Sequence, residues 1–140
     1  MEKLLVVDDD EARLKKIVRV AESVQFKTDN IQIAVGLADA IELIDGTDLR
    51  YDFAIIDLIL TAWPEKEGLD VIKLLRAKFP NCKIIALTAH GGTALGIEAM
   101  SAGADDFIST QWEQINWYSL LQHRLQLWRG LFAEISTRTF

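Results

Sequence analysis

Short apolar runs rich in β-branched residues alternate along the chain with segments whose apolar residues recur every three or four positions. Runs of this kind are typical of buried parallel strands, and segments of this kind are typical of amphipathic helices. The runs predict strands at residues 4–7, 31–35, 53–56, 83–87 and 107–109. The other segments predict helices at residues 14–24, 38–44, 69–79, 93–101 and from about 112 to 135.

Strands that alternate with helices in this way imply a parallel sheet that is covered by helices on both faces. The length of 140 residues suits one such domain with a sizeable core. Asp10 is a suitable N-cap for the first helix, and Pro80 stops the third one. We therefore predict a single three-layer α/β domain.

Composition and charge narrow the classes of function. A net charge of −6 argues against binding to nucleic acid or to an anionic membrane through bulk charge. The single cysteine, Cys82, excludes an internal disulfide and a cysteine-only metal cluster. No segment has the apolar core of a signal peptide, and no run is long enough to span a membrane. A cytoplasmic location is the default expectation.

Polar residues follow three of the predicted strands at the point where each strand ends. Asp8 and Asp9 follow the first strand, Asp57 follows the third, and Thr88 follows the fourth. Right-handed crossovers bring these ends to one edge of the sheet, where open α/β sheets bind ligands. Any one of these aspartates alone would be read as a helix cap, but their convergence favours a chemical site. Crowded carboxylates of this kind suit a hard divalent cation such as Mg²⁺.

Several short motifs resemble those of one protein family, the receiver domain of two-component response regulators. The motifs are Leu5-Val6-Val7-Asp8-Asp9, Ile55-Ile56-Asp57, Leu87-Thr88-Ala89 and Gly103-Ala104-Asp105-Asp106-Phe107. The resemblance extends over about residues 3 to 126. It implies a flavodoxin-like (βα)5 fold with a central five-stranded parallel sheet in strand order 2-1-3-4-5. We assign residues 1–126 to the receiver and residues 127–140 to an extension of the last helix.

The resemblance also implies a role for particular residues. Asp57 would accept a phosphoryl group from a histidine kinase or a phosphotransfer protein, and the protein would not be a conventional enzyme. The implied Mg²⁺ ligands are Asp8, Asp9, Asp57 and the backbone carbonyl of Ile59. The implied switch residues are Thr88, Phe107 and the residue at position 110, and the implied phosphoryl-pocket residues are Leu58, Ala89 and His90.

Side chains beside this pocket would influence how long the phosphoryl group persists. The apolar Ile59 would hinder the approach of water and slow self-hydrolysis. The small side chain of Ala89 would leave room for the phosphoryl group. His90 either faces solvent or contacts the phosphoryl group.

Thr110 and Gln111 depart from the family pattern, because receivers usually carry a Lys-Pro pair at these positions. A threonine offers only a neutral hydrogen bond, and charge-assisted bonds are roughly twice as strong. We therefore expect weaker coupling between a phosphoryl group and the switch residues. Lys66, in the loop after Asp57, is a candidate to supply the missing positive charge.

The loop after Asp57 also departs from the family. Pro64 and Gly68 stand three residues further from Asp57 than their counterparts in receivers do, which implies an insertion. Trp63 lies in this insertion. It either anchors a partner protein or folds back over the edge of the site.

The last predicted helix carries more apolar surface than a surface helix needs. Its two apolar stripes together exceed the arc of about 100° that such a helix usually buries. The excess covers either the flank of the domain itself or a partner, and we favour a partner protein or a homodimer. The expected interface residues are Trp117, Leu120, Leu127, Trp128 and Leu131. Because no basic recognition helix or output domain follows, we expect a stand-alone receiver that signals through protein contacts and not through DNA.

Two other functions compete with this reading. A pseudo-receiver would use the same fold as an interaction module without phosphorylation, and Thr110 favours it. A phosphohydrolase of the haloacid-dehalogenase type would use Asp8 as nucleophile, because Asp8, Asp10, Thr88, Asp105 and Asp106 superficially match its motifs. That reading fails because Asp105 and Asp106 precede their strand and so belong at the opposite edge of the sheet. The chain also lacks the expected substrate-binding cap.

Overall fold

The computed structural model of the chain describes residues 2–46, 50–62, 65–90 and 92–138, with side chains up to residue 130 in the last range. The predictions for Trp63, for Pro64 and for the side chain of Leu131 lie outside the described residues. Within the described ranges, no helix is both long enough and apolar enough to cross a membrane.

Five parallel strands form one sheet in the order β2-β1-β3-β4-β5, which confirms the predicted strand order. The strands are β1 (Leu4–Val7), β2 (Ile31–Ala34), β3 (Phe53–Asp57), β4 (Lys83–Thr88) and β5 (Asp106–Ser109). The register places Val7 beside Ile56, and it places Asp57 beside Leu87. The carboxyl ends of β1, β3 and β4 are therefore level with one another.

Helices cover both faces of the sheet. They are α1 (Glu11–Ser23), α2 (Leu37–Asp45), α3 (Glu67–Lys78), α4 (Thr93–Ala102) and α5 (Trp117–Arg138), and a short 3₁₀ turn (Thr28–Asn30) precedes β2. Alternate residues of each strand face opposite sides, so that Leu5 and Val7 join the core under α2, α3 and α4. Leu4 and Val6 join the core under α1 and α5. Burial on both faces explains why the strands read as continuous apolar runs.

The predicted N-cap of the first helix is confirmed, although α1 begins at Glu11, three residues before the predicted range. Asp10 is its N-cap, and the side chain of Asp10 accepts a hydrogen bond from the backbone N–H of Arg13 at 3.0 Å. The third helix begins at Glu67, two residues before the predicted start. Its early start brings Gly68 against the end of β3, where the Gly68 N–H donates to the Leu58 carbonyl at 3.1 Å.

The predicted start of the last helix at Trp112 is wrong, because α5 begins at Trp117. Gln114 adopts a left-handed backbone conformation with φ of 62°, which interrupts the helical pattern. The side chain of Asn116 then accepts the Ser119 N–H at 3.2 Å, as an N-cap does. Trp112 lies ahead of the helix and packs edge-on against Phe107, with ring centroids 6.0 Å apart.

One stripe of α5 covers the domain itself. Leu121 and Leu125 are buried in the core under α1 and α5, and Trp117, Leu120 and Trp128 are partly buried against it. Leu127 remains 50% exposed. The domain's own flank thus takes up much of the apolar surface. A contact with a second copy, and the division of the helix after residue 126, stay predictions.

We expect Gly68→Ala to destabilise the protein and to disturb the end of β3. A Cβ at this position would collide with the carbonyl oxygen of Asp57 and would lie 2.5 Å from the Cα of Leu58, so the strand end must move. Overpacking of this kind costs about 1–3 kcal/mol. Thermal unfolding measures the loss.

The matched control is Gly130→Ala in α5, where the added Cβ would meet no described atom within 4 Å apart from its chain neighbours and the nearby backbone of its own helix. That variant should unfold at the same temperature or slightly higher, because alanine favours a helix by about 0.5–1 kcal/mol. Equal stability of the Gly68→Ala variant and wild type would contradict the close packing described here.

Candidate acidic site at the carboxyl edge of the sheet

Three carboxylates meet where β1 and β3 end. Asp8 and Asp57 are 0% and 2% exposed, whereas Asp9 is exposed. Each of the three contributes one carboxylate oxygen to a group in which all the oxygens lie within 4.8 Å of one another. The predicted convergence of these side chains is therefore present in the fold.

The carboxylate of Asp57 is held on both of its oxygen atoms. Oδ1 accepts the backbone N–H of Ile59 at 3.1 Å, and Oδ2 accepts Nη2 of Arg13 at 2.8 Å. The backbone just beyond is fixed as well, since the Leu58 N–H donates to the Leu87 carbonyl at 3.1 Å. The side chain consequently has a defined direction toward β1.

Arg13 is the residue of this site that the sequence analysis missed. Its Nε donates to Asp8 Oδ2 at 2.6 Å, and its Nη2 donates to Asp8 Oδ1 at 2.9 Å as well as to Asp57. The side chain is only 14% exposed. The guanidinium therefore clamps the two buried carboxylates together, and we refer to Asp8, Arg13 and Asp57 as the acid–arginine clamp.

The sequence did contain a signal for Arg13. It lies in the first turn of α1, where a positive charge opposes the helix dipole. Helical side chains also point back toward the N-terminus of their helix, which here is the carboxyl edge of the sheet. A cation placed so unfavourably and aimed at three aspartates indicates a tertiary role.

Burial dominates the electrostatics of Asp57. Loss of water raises the pKa of its carboxyl to about 7; the positive charge of Arg13 opposes this rise, and the negative charges of Asp8 and Asp9 add to it. Burial lowers the pKa of the Arg13 guanidinium, but the hydrogen bond to Asp8 and the charges of Asp57 and Asp8 outweigh it and raise the pKa overall. Arg13 therefore stays charged, and the ionisation of Asp57 depends on pH near neutrality.

The donor set suits a hard divalent cation. All the side-chain ligands are carboxylate oxygens, which Mg²⁺ prefers, and their spacing allows one ion to reach all three residues. Ile59, the predicted source of a carbonyl ligand, lines the same open cleft as Asp9 and Asp57. The residues present thus fit the metal ion that the sequence implied.

Ala89 and His90 also line this cleft, beside Asp57 and Arg13, and His90 is exposed. Leu58 is fully buried in the core and does not line it. Thr88 is buried at the end of β4, and its Oγ1 accepts the His90 N–H at 3.0 Å, which leaves the hydroxyl hydrogen to donate.

Lys66, the candidate for the missing positive charge, pairs with a carboxylate outside the acidic group. Thr110 is half-buried, and its N–H donates to the Thr88 carbonyl at 2.8 Å. The Nζ of Lys66 pairs with both carboxylate oxygens of Glu98 on α4, each at 3.1 Å. Among the candidates for a positive charge at the acidic group, it is Arg13 that contacts the carboxylates.

Phe107, the aromatic residue of the predicted switch, lies on β5 and contacts α4. Its ring is partly buried between Gly96 of α4 and Trp112, and a Cβ on Gly96 would lie 3.0 Å from the ring. The cleft outside it is lined by apolar side chains of α4 that include Ile97 and Met100. The glycine thus makes room for the aromatic side chain against α4.

Asp105 lies at the opposite edge of the sheet, as expected from its position before β5. Its Oδ2 accepts the backbone N–H of Ile84, near the start of β4, at 2.9 Å, and it pairs with Arg76 at 2.7 Å. This structural role removes Asp105 from the acidic site. The phosphohydrolase reading therefore lacks one of its required residues.

Comparisons with known proteins agree with this arrangement. A family model for the response regulator receiver domain matches residues 4–121. The chain is 34% identical over 106 residues to the photosynthetic apparatus regulatory protein RegA of Cereibacter sphaeroides, covering 76% of this chain and 53% of RegA. It is 30% identical over 106 residues to the response regulator MprA of Mycobacterium sp., covering 76% of this chain and 43% of MprA. The chain spans about half the length of the curated relatives it matches.

Solved structures show the same fold. The BeF3-activated DrrB receiver domain superposes with a TM-score of 0.73 at 22% identity, covering 93% of this chain and 98% of that chain. The Mn(2+)-bound form of response regulator Rcp1 superposes with a TM-score of 0.75 at 15% identity, covering 91% and 94%. A CheY-like receiver domain protein from Methanospirillum hungatei gives 0.73 at 22% identity, covering 96% and 98%.

We expect Asp57→Asn to raise the melting temperature in EDTA, and to raise it more at about pH 8 than at about pH 5. The folded pKa of about 7 lies above the ordinary value of 3.8, so the folded protein binds the proton more tightly than the unfolded chain does. Wild type therefore loses stability as the pH rises from about 4 to about 7. The asparagine has no such ionisation. Thermal unfolding across this pH range measures the difference between the two proteins.

The control for this prediction is Asp29→Asn, which removes an exposed carboxylate from the turn before β2. It should keep the pH profile of wild type. A stability gap between Asp57→Asn and wild type that does not widen with pH would contradict the buried carboxylate described here.

Proposed function

Because this chain belongs to the response regulator receiver domain family, we propose that it accepts a phosphoryl group on Asp57 from a histidine kinase or a phosphotransfer protein. The observation that carries the proposal is the position of Asp57. It ends a buried strand within an acidic group, and it lines an open cleft. A phosphohistidine side chain of a partner can approach it from that side.

In the proposed reaction a carboxylate oxygen of Asp57 attacks the phosphorus atom of the phosphohistidine. The new O–P bond forms as the P–N bond breaks, and the histidine nitrogen keeps the electron pair and takes up a proton. Asp8, Asp9, Asp57 and the Ile59 carbonyl would hold Mg²⁺, which neutralises negative charge on the phosphoryl oxygens when it is bound. The product is an acyl phosphate on Asp57.

Residues at the ends of β4 and β5 would sense this product. The Thr88 hydroxyl would donate to a phosphoryl oxygen, and Thr110 would offer a further neutral hydrogen bond. Phe107, packed against Gly96, would change its packing as Thr88 moves. Without a lysine at position 110, we expect this coupling to be weaker than a charge-assisted bond would make it.

The lifetime of the acyl phosphate would depend on the residues that line the cleft. The buried Ile59 side chain, which is 6% exposed, would limit the approach of water to the phosphorus. Ala89 would leave room for the phosphoryl oxygens, and the exposed His90 side chain, which lines the same cleft, would contact them. We therefore propose slow self-hydrolysis, with Leu58 acting only as buried support for Asp57.

The output we propose is protein contact. Residues 1–126 would form the receiver and residues 127–140 an extension of α5, with a partner protein or a second copy bound through the exposed side of that helix around Leu127. The relatives RegA and MprA are longer than this chain. We propose that this chain acts as a stand-alone receiver in the cytoplasm.

A second function is favoured by the acid–arginine clamp together with Thr110. A pseudo-receiver would use the same surfaces to bind partners without phosphorylation. In that case the clamp would be a permanent structural ion pair, and neither Mg²⁺ nor a phosphodonor would change the protein.

Phosphorylation is tested by incubating the protein with Mg²⁺ and a small phosphodonor and following intact mass. We expect a mass gain of one phosphoryl group that is absent in Asp57→Asn and in samples with EDTA. Asp39→Asn, which changes an exposed aspartate in the first turn of α2, should retain the gain. If wild type shows no gain, the pseudo-receiver reading replaces the receiver. A gain that persists in Asp57→Asn would contradict the site.

Thr110→Lys is expected to tighten the binding of beryllofluoride, a phosphoryl mimic, in the presence of Mg²⁺. A lysine there adds a charge-assisted contact, and such contacts are worth about 1.5–3 kcal/mol, or at least roughly tenfold in affinity. Titration followed by NMR measures the change. Gln111→Lys adds the same charge at the neighbouring exposed position and should leave the affinity as in wild type. Equal affinities in all three proteins would contradict the assignment of position 110.

A further inference from the structure

We infer that Arg13 is a built-in counter-ion that a divalent cation must displace from Asp8 and Asp57 before the cation can bind. The inference rests on the proposed Mg²⁺ site and adds a residue that family resemblance did not supply. It assigns Arg13 as a positioning residue, which sets the affinity of the site for metal and keeps the two carboxylates in place until metal arrives.

The guanidinium of Arg13 and a metal ion need the same carboxylate oxygen atoms. Arg13 contacts both oxygens of Asp8, at 2.6 and 2.9 Å, and Oδ2 of Asp57 at 2.8 Å. The other oxygen of Asp57 accepts the Ile59 N–H at 3.1 Å. Three of the four buried carboxylate oxygens are thus bonded to Arg13, and a cation bound among these side chains must replace at least part of that bonding.

The charges of the site also make the guanidinium and a metal ion compete. Asp8 and Asp57 are almost completely buried, and leaving such charges unpaired is costly. One guanidinium stabilises both carboxylates, and it also repels any second cation that approaches them at close range. Removal of Arg13 should therefore weaken the fold in EDTA and strengthen the binding of a divalent ion.

The Arg13 side chain borders open space into which it can turn when it leaves the carboxylates. Its side chain is part of the wall of the open cleft, together with Asp9, Asp10 and His90. The guanidinium is linked to the domain by a flexible side chain at the first turn of α1, so it can turn from the carboxylates toward the cleft without any change of the helix. Exchange of one cation for another requires only a change of rotamer.

The test compares the affinity for Mg²⁺ of wild type, Arg13→Gln and Arg13→Lys by calorimetric titration. We expect Arg13→Gln to bind Mg²⁺ about tenfold more tightly than wild type, because it loses charge-assisted bonds that compete with the metal. Lysine keeps the charge but lacks the planar fork, so Arg13→Lys should fall between the two. The matched control is Arg19→Gln, which removes the same charge from an exposed position on α1 and should bind as wild type does.

A second measurement uses wild type alone, so it remains decisive if Arg13→Gln does not fold. The Nε–H resonance of Arg13 should be protected from exchange in EDTA and should lose that protection as Mg²⁺ is added. An Arg13 resonance that stays unchanged at saturating Mg²⁺ would overturn the inference. So would equal Mg²⁺ affinities of wild type and Arg13→Gln, although the proposed metal site would then stand. If no folded variant binds Mg²⁺, both the inference about Arg13 and the proposed metal site are overturned.

Discussion

Two carboxylates buried at one edge of the sheet constrain the whole domain, because neither can remain charged there without a nearby cation. Arg13 meets this requirement by bonding to Asp8 and Asp57 at once. Removing Arg13 would leave both carboxylates without a counter-ion, and breaking a buried ion pair in this way typically costs about 3–5 kcal/mol. The acid–arginine clamp is therefore a structural feature as well as the centre of the candidate site.

The scaffold positions the clamp through strand register. β1 and β3 are neighbours, with Val7 beside Ile56, so the residues that follow them, Asp8 and Asp57, leave the sheet side by side. Apolar side chains bury both faces of these strands, which fixes the backbone from which the carboxylates extend. Close packing of Gly68 against the end of β3 prevents that end from shifting.

Strand positions and the meeting of Asp8, Asp9 and Asp57 were predictable, because apolar periodicity and parallel topology determine them. The strand order was predictable only through the resemblance to receiver domains. The start of α5 was not, since the stripe of apolar residues continues through Trp112 while the left-handed backbone at Gln114 interrupts the helix. Arg13 was missed for a related reason. Its role depends on a tertiary contact of its side chain, and on an amphipathic helix a charged residue is usually assigned to the solvent face.

Two features of this chain bear on the candidate site: a threonine where receivers usually carry a lysine, and an arginine bonded to the acidic group. The central claim is that these acids form a divalent-cation site from which Arg13 must withdraw. A crystal soaked in Mn²⁺ tests it most directly through the anomalous signal of the metal. We expect a Mn²⁺ ion bonded to Asp8, Asp9 and Asp57, with the Arg13 side chain turned away. An acid–arginine clamp that remains intact, with no anomalous peak beside it, would contradict the claim.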